Sequence, residues 1–253
     1  MCELFGINGT VKLRCNELLE EFYSHAEEHP DGWGLATFCG NAVSLEKEPI
    51  SARESVYLKH RLTDDIEEAT LLAHIRKASV GDLQYKNSHP FAMRDASGRL
   101  WTLIHNGTIF ESEELDAYKE QQKGATDSER ILCCLIARVN SAMKEKRDDL
   151  LPEERFLVIE EMTGEITPKN KVNFLIYDGE LFYVHMNHKD SLHRCRKERT
   201  LVVSTRPLDQ DGWEAVPMNT VLGYRDGELV YRGREHGNEY IKTEEEKSCC
   251  QKT

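Results

Sequence analysis

Segments rich in β-branched and aromatic residues come in groups along this chain and do not alternate one by one with helices, and this grouping most narrows the folds open to it. Residues 4–11 and 34–38 are short and apolar with glycine punctuation. Residues 16–28 carry Leu18, Leu19, Phe22 and Tyr23 at helical spacing. Residues 52–64 predict a helix. Residues 70–76 and 100–105 read as extended, the second ending at Asn106-Gly107, a pair suited to a tight turn. Helices are predicted over 112–120 and 128–140, where Ile131, Leu132, Leu135, Ile136 and Val139 form one apolar stripe. Beyond a polar segment at 144–154, β-rich stretches return at 173–177, 181–185, 200–204, 220–225 and 228–231, with Asp178-Gly179 and Asp226-Gly227 as hairpin turns. Such grouping predicts α+β packing, with sheets stacked inside helical layers and no βαβ units.

With 253 residues the chain has enough length for one catalytic domain, expected over 1–241, followed by a charged tail over 242–253 that is expected to be disordered. A net charge of -12 repels a phosphate backbone, and the densest basic stretch, 193–199, is short, so no nucleic-acid partner is expected. No apolar run is long enough to cross a bilayer, and the Met-Cys-Glu start lacks the pattern of a secretory signal. A cytoplasmic protein with reduced thiols is therefore expected. None of the eight cysteines forms a Cys-x-x-Cys pair, the histidines show no ligand spacing, and neither metal nor cofactor is predicted. A Gly-x-x-x-x-Gly-Lys phosphate loop is absent too.

Chemistry enters at Cys2. Trimming of Met1 would leave a free α-amine beside the thiol, so one residue would hold both a nucleophile and a base titrating near neutrality. The bland alternative is an inert cysteine at a position where small residues are common. Asn106-Gly107 is equally readable as a plain turn, Asp127 as an N-cap, and Arg76 as half of a surface ion pair.

Six segments bear on that choice: Cys2-Glu3-Leu4-Phe5-Gly6-Ile7, His29-Pro30-Asp31-Gly32-Trp33-Gly34, Ala73-His74-Ile75-Arg76-Lys77-Ala78-Ser79, Asn87-Ser88-His89-Pro90-Phe91, His105-Asn106-Gly107 and Thr126-Asp127-Ser128-Glu129. In order and spacing they resemble the class II glutamine amidotransferases, over roughly the first 130 residues. The resemblance is greatest to small stand-alone bacterial members without a synthase domain. It implies a four-layer αββα sandwich of the N-terminal-nucleophile hydrolase type. It further implies Cys2 as nucleophile, Asn106 and Gly107 as the oxyanion pair, and Arg76, Ser79 and Asp127 around the substrate's α-carboxylate and α-ammonium. Gly6 and Gly32 match glycines that let backbone pass close to the nucleophile. The histidines of these motifs are expected to have structural roles.

The implied substrate is glutamine or another γ-glutamyl small molecule. Lys77 and Val80 stand where sugar-forming relatives resemble a Trp and a His, and no acceptor domain is expected within these 253 residues. Ammonia transfer would thus need a partner protein supplying the acceptor site. Two alternatives stay open: a γ-glutamyl hydrolase acting on a modified, glutathione-like metabolite, and a regulatory subunit without turnover.

Overall fold

A computed structural model describes residues 2–242; Met1, Cys249, Cys250 and nearly all of the expected tail lie outside the described residues. From the N-terminus the elements are β1 (Glu3–Arg14), α1 (Asn16–Ser24), β2 (Trp33–Cys39), β3 (Ala42–Glu48), α2 (Val56–Arg61), β4 (Glu67–Ile75), β5 (Phe91–Arg94) and β6 (Leu100–Thr108). Three helices follow, α3 (Glu113–Asp116), α4 (Asp127–Lys146) and α5 (Pro152–Ile166). The remaining strands are β7 (Lys171–Tyr177), β8 (Phe182–His185), β9 (His193–Lys197), β10 (Thr200–Ser204), β11 (Glu214–Ala215), β12 (Leu222–Arg225) and β13 (Glu228–Arg232). They form a seven-stranded sheet in the order β11-β9-β10-β1-β4-β2-β3 and a six-stranded sheet in the order β13-β12-β8-β7-β6-β5.

The period-2 alternation of the strands explains why these sheets make four layers. Along β1, Leu4 points into a core shared by both sheets, whereas Phe5 and Ile7 pack with Leu18, Leu19 and Phe22 of α1. Along β7, Leu175 joins the shared core while Phe174 and Ile176 pack with Ile131 and Leu135 of α4 and Ile159 of α5. Each sheet is therefore apolar on both faces, and the result is the expected αββα sandwich. Gly6 lies in the gap between sheets. A Cβ there would approach Leu175 and Phe182 to 2.9 Å, so its close contact is with core side chains. Gly34 is tighter, because a Cβ would lie 2.0 Å from the His89 carbonyl oxygen on a neighbouring segment. Backbone cannot retreat as a side chain can. Gly34→Ala is expected to lower stability by about 3 kcal/mol, to be read from the shift of the urea unfolding midpoint.

The structure corrects several expectations. Asn106-Gly107 is not a turn: it lies within β6, paired with Asn173 and Val172 of β7. The hairpin reading failed because turn propensity is local, whereas the facing strand supplies the ladder that keeps these residues extended. The helix expected over 52–64 shrinks to α2. α5 was overlooked, although Pro152 opens it, Glu154 Oε2 accepts from the Leu151 N–H at 2.6 Å, and Phe156, Ile159, Thr163 and Ile166 recur at helical spacing. The Asp226-Gly227 turn is present, with φ of 55° and 80° at its two central residues.

Candidate active site

Strand pairing determines which loops meet at Cys2. Glu3 pairs with Ile75, so residue 2 leaves the sheet beside the end of β4, where Arg76 and Lys77 follow. The second sheet contributes the end of β6, with Asn106, Gly107 and Thr108. The Cys2 thiol reaches the Lys77 carbonyl oxygen at 3.5 Å. Burial pushes the thiol up from its ordinary value, while the positive charges of Arg76 and Lys171 pull it down.

Two cavities share this point. One, of about 200 Å³, is lined by Cys2, Lys77, Ser79, Asn106, Gly107 and Lys171, among others. The other, of about 310 Å³, shares Cys2, Lys77, Asn106 and Lys171 and extends toward Lys189 and Arg206. Four of the expected site residues, Cys2, Ser79, Asn106 and Gly107, therefore surround one cavity. Gly107 has no alternative there, since a Cβ would sit 1.8 Å from the Lys171 carbonyl oxygen.

Arg76 and Asp127 are not part of that cavity's lining. Arg76 is buried, and its guanidinium donates to the carbonyls of Val80, Gly81 and Asp82 at 2.8–3.3 Å, folding the following loop around it. That is no surface ion pair. Asp127 is not the N-cap of α4 either: Thr126 holds that place, its hydroxyl accepting from the Glu129 N–H. The Asp127 carboxylate instead accepts from the backbone N–H groups of Ile109 and Ser128, both at 2.9 Å, which ties the end of β6 to the start of α4.

Two residues at the site had escaped the sequence reading. Lys171 is 3% exposed, and its ammonium donates to Asn106 Oδ1 at 3.3 Å. Burial pushes it down to about 8, with the neighbouring Cys2 charge acting the other way. The readable signal is a lysine heading a mostly apolar run through Ile176, broken only by Asn173. Glu3 is the other, 1% exposed and joined by His25 at 2.8 Å, His29 at 3.1 Å and Arg206 at 2.7 Å. Burial works against its charge, but the hydrogen bonds from His29 and His25 and the Arg206 charge together hold its carboxyl below the usual range.

Two of the motif histidines bond within the fold, while His29 lines the larger cavity. His74 bonds the His105 carbonyl at 3.2 Å, and His105 Nδ1 bonds the Ser128 hydroxyl at 2.9 Å. Burial pushes His74, and also His185 on β8, down to about 3. Both stay neutral in the fold while the unfolded chain protonates them below about 6.5, so this part of the stability is present above that pH and falls as pH drops toward 3. Each is expected to cost about 1.4 kcal/mol between pH 7.5 and 5.5, and denaturant melts at the two pH values check it.

A sequence profile described as glutamine amidotransferases class-II matches residues 1–197. The chain is 28% identical over 263 residues to an uncharacterized protein of Methanocaldococcus jannaschii, covering 92% of this chain and 72% of that one. It is 29% identical over 217 residues to YafJ of Escherichia coli, covering 83% and 82%. A predicted glutamine amidotransferase from Pseudomonas aeruginosa superposes with a TM-score of 0.62 at 22% identity, covering 91% of this chain and all of that one. Glutamine phosphoribosylpyrophosphate amidotransferase from B. subtilis superposes at 0.68 and 18%, covering 94% of this chain and 50% of that one. At those identities the two structures speak for the fold alone.

Proposed function

We propose that this chain, which belongs to the class II glutamine amidotransferases, cleaves the γ-glutamyl amide of glutamine with Cys2 as the nucleophile. The observation that carries the reading is the convergence of Cys2, Asn106 and Gly107 from two different sheets on one cavity. After removal of Met1, the α-amine of Cys2 takes the thiol proton and sulfur attacks the amide carbon. The oxyanion is met by the Asn106 side-chain amide and the Gly107 N–H. The α-amine then returns the proton to the leaving nitrogen, ammonia departs, and water cleaves the γ-glutamyl thioester to give glutamate. Transfer of the ammonia calls for a partner protein with an acceptor site.

Intact mass before and after treatment with 6-diazo-5-oxo-norleucine tests the nucleophile. Loss of Met1 and one adduct confined to Cys2 are expected; retained Met1 with no adduct would return the chain to the regulatory reading. Asp127, which lies outside the cavity lining, is assigned to the substrate α-ammonium. Asp127→Asn is expected to raise KM for glutamine about 10-fold by removing a buried negative charge near the substrate ammonium, and an unchanged KM would remove Asp127 from the site.

A second reading is favoured by the larger cavity. Glutamine releases only ammonia, whereas about 310 Å³ beside Cys2, bordered by Lys77, Lys171 and Lys189 and also by Glu3, Glu28 and Asp190, has room for a larger leaving group with a carboxylate that a lysine such as Lys189 could meet. The substrate would then be an N-substituted γ-glutamyl amide ending in a carboxylate. Comparing kcat/KM for L-glutamine and γ-glutamylglycine separates the two readings. Lys189→Ser should weaken only the dipeptide reaction if the second holds.

A further inference from the structure

We infer that Lys171 is a positioning residue that holds the Asn106 amide in the orientation catalysis needs; this rests on the reading of Asn106 as an oxyanion donor. Four observations converge. Lys171 is buried at the head of β7, where Thr108 of β6 is its register partner. Its ammonium lies 3.3 Å from Asn106 Oδ1. An ammonium has hydrogens to give and no lone pair to offer, so the Asn106 atom it meets is the carbonyl oxygen, and the amide NH2 is turned the other way. Asn106 and Lys171 both line the two cavities that meet at Cys2, so an Asn106 amide held at its oxygen by Lys171 borders the space where an oxyanion would form.

The arrangement has a physical rationale. An asparagine amide can rotate by half a turn with little change in shape, and an inverted amide would present its oxygen lone pairs to the oxyanion. That would turn a stabilising contact into a repulsive one. A buried cation at the amide oxygen makes the inverted form worse, because it would set NH2 hydrogens against an ammonium. Lys171 thereby acts through Asn106 without contributing a proton to the reaction.

The test is a double-mutant cycle on the full chain, measuring kcat and KM for L-glutamine and for γ-glutamyl-p-nitroanilide. Lys171→Met is expected to lower kcat about 100-fold with KM nearly unchanged, as for loss of one oxyanion donor. In an Asn106→Ala background the same change is expected to cost less than about 3-fold, because its target is gone. Lys171→Arg, which keeps a buried donor, is expected to recover part of the loss. Multiplicative losses in the double mutant, or near-wild-type kcat in a folded Lys171→Met, would overturn the inference. A purely structural role would show as a lowered unfolding midpoint and the same penalty in both backgrounds. Running the cycle with Lys171→Leu as well, which likewise carries no donor, leaves a decisive variant if the methionine does not fold. Full activity in Asn106→Ala alone would instead sink the underlying reading of the site.

Discussion

Cys2→Ala is expected to abolish amide cleavage, by at least about 1000-fold, while the thermal midpoint stays within a few degrees of the parent protein. The size of the effect follows from what the residue supplies. Among the described residues the thiol is the only sulfur in the cavity lining, and near neutrality it is a far stronger nucleophile than the Ser79 and Thr108 hydroxyls that share the lining. The remaining described cysteines do not substitute for it: Cys39 is exposed at the end of β2 and lines neither cavity, Cys15, Cys133, Cys134 and Cys195 are buried within the fold, and burial pushes Cys15 and Cys134 up to about 12 and Cys195 to about 11. Stability should hardly change, because Cys2 precedes the first strand and its thiol makes a single long contact with the Lys77 carbonyl. Turnover near the parent level would end the assignment of Cys2, whatever the family. The assay must therefore be paired with a thermal melt and with intact mass, which reports whether the altered chain still loses Met1.

Asn106→Asp should give the second largest effect, a fall in kcat of about 1000-fold with a much smaller change in KM. Alanine would also remove a donor, but it would leave the Lys171 ammonium without the oxygen it now meets at 3.3 Å. Loss of a buried partner of this kind costs about 1–3 kcal/mol in stability and would blur the reading. Aspartate keeps the shape and still offers an oxygen to Lys171, so the fold is preserved. What it withdraws is the N–H donor, and it adds negative charge where the tetrahedral intermediate develops its own. A carboxylate there opposes the transition state more than it opposes the bound substrate, which is why the loss falls on kcat. Parallel changes in kcat and KM, or activity within a few-fold of the parent, would show that Asn106 has no oxyanion role.

The sequence carried more of the fold than of the site. Strand periodicity, the helical stripe through Ile131, Leu135 and Val139, and the Asp226-Gly227 turn are local signals, and each is present in the structure. The overlooked α5 was also readable, from Pro152 at its start and the spacing of its buried residues. Asn106-Gly107 was misjudged for a different reason. A pair that favours turns in isolation is held extended by seven register pairs between β6 and β7, and that partner lies more than sixty residues further on.

What the sequence by itself determined is therefore what depends on near neighbours and on ordered motifs: the α+β class, the family, and the identities of Cys2, Ser79, Asn106 and Gly107 as residues belonging together. What only the tertiary structure decided is where the charges stand. Arg76 is wrapped by the carbonyls of the loop that follows it, Asp127 ties a strand end to a helix start, and Glu3 is surrounded by two histidines and Arg206. Lys171 is brought under Asn106 by the pairing of β6 with β7. The physical reason is one of range. Backbone propensity acts over a few residues, whereas the energy of a buried charge depends on groups that only the packing of two sheets brings within a few ångströms.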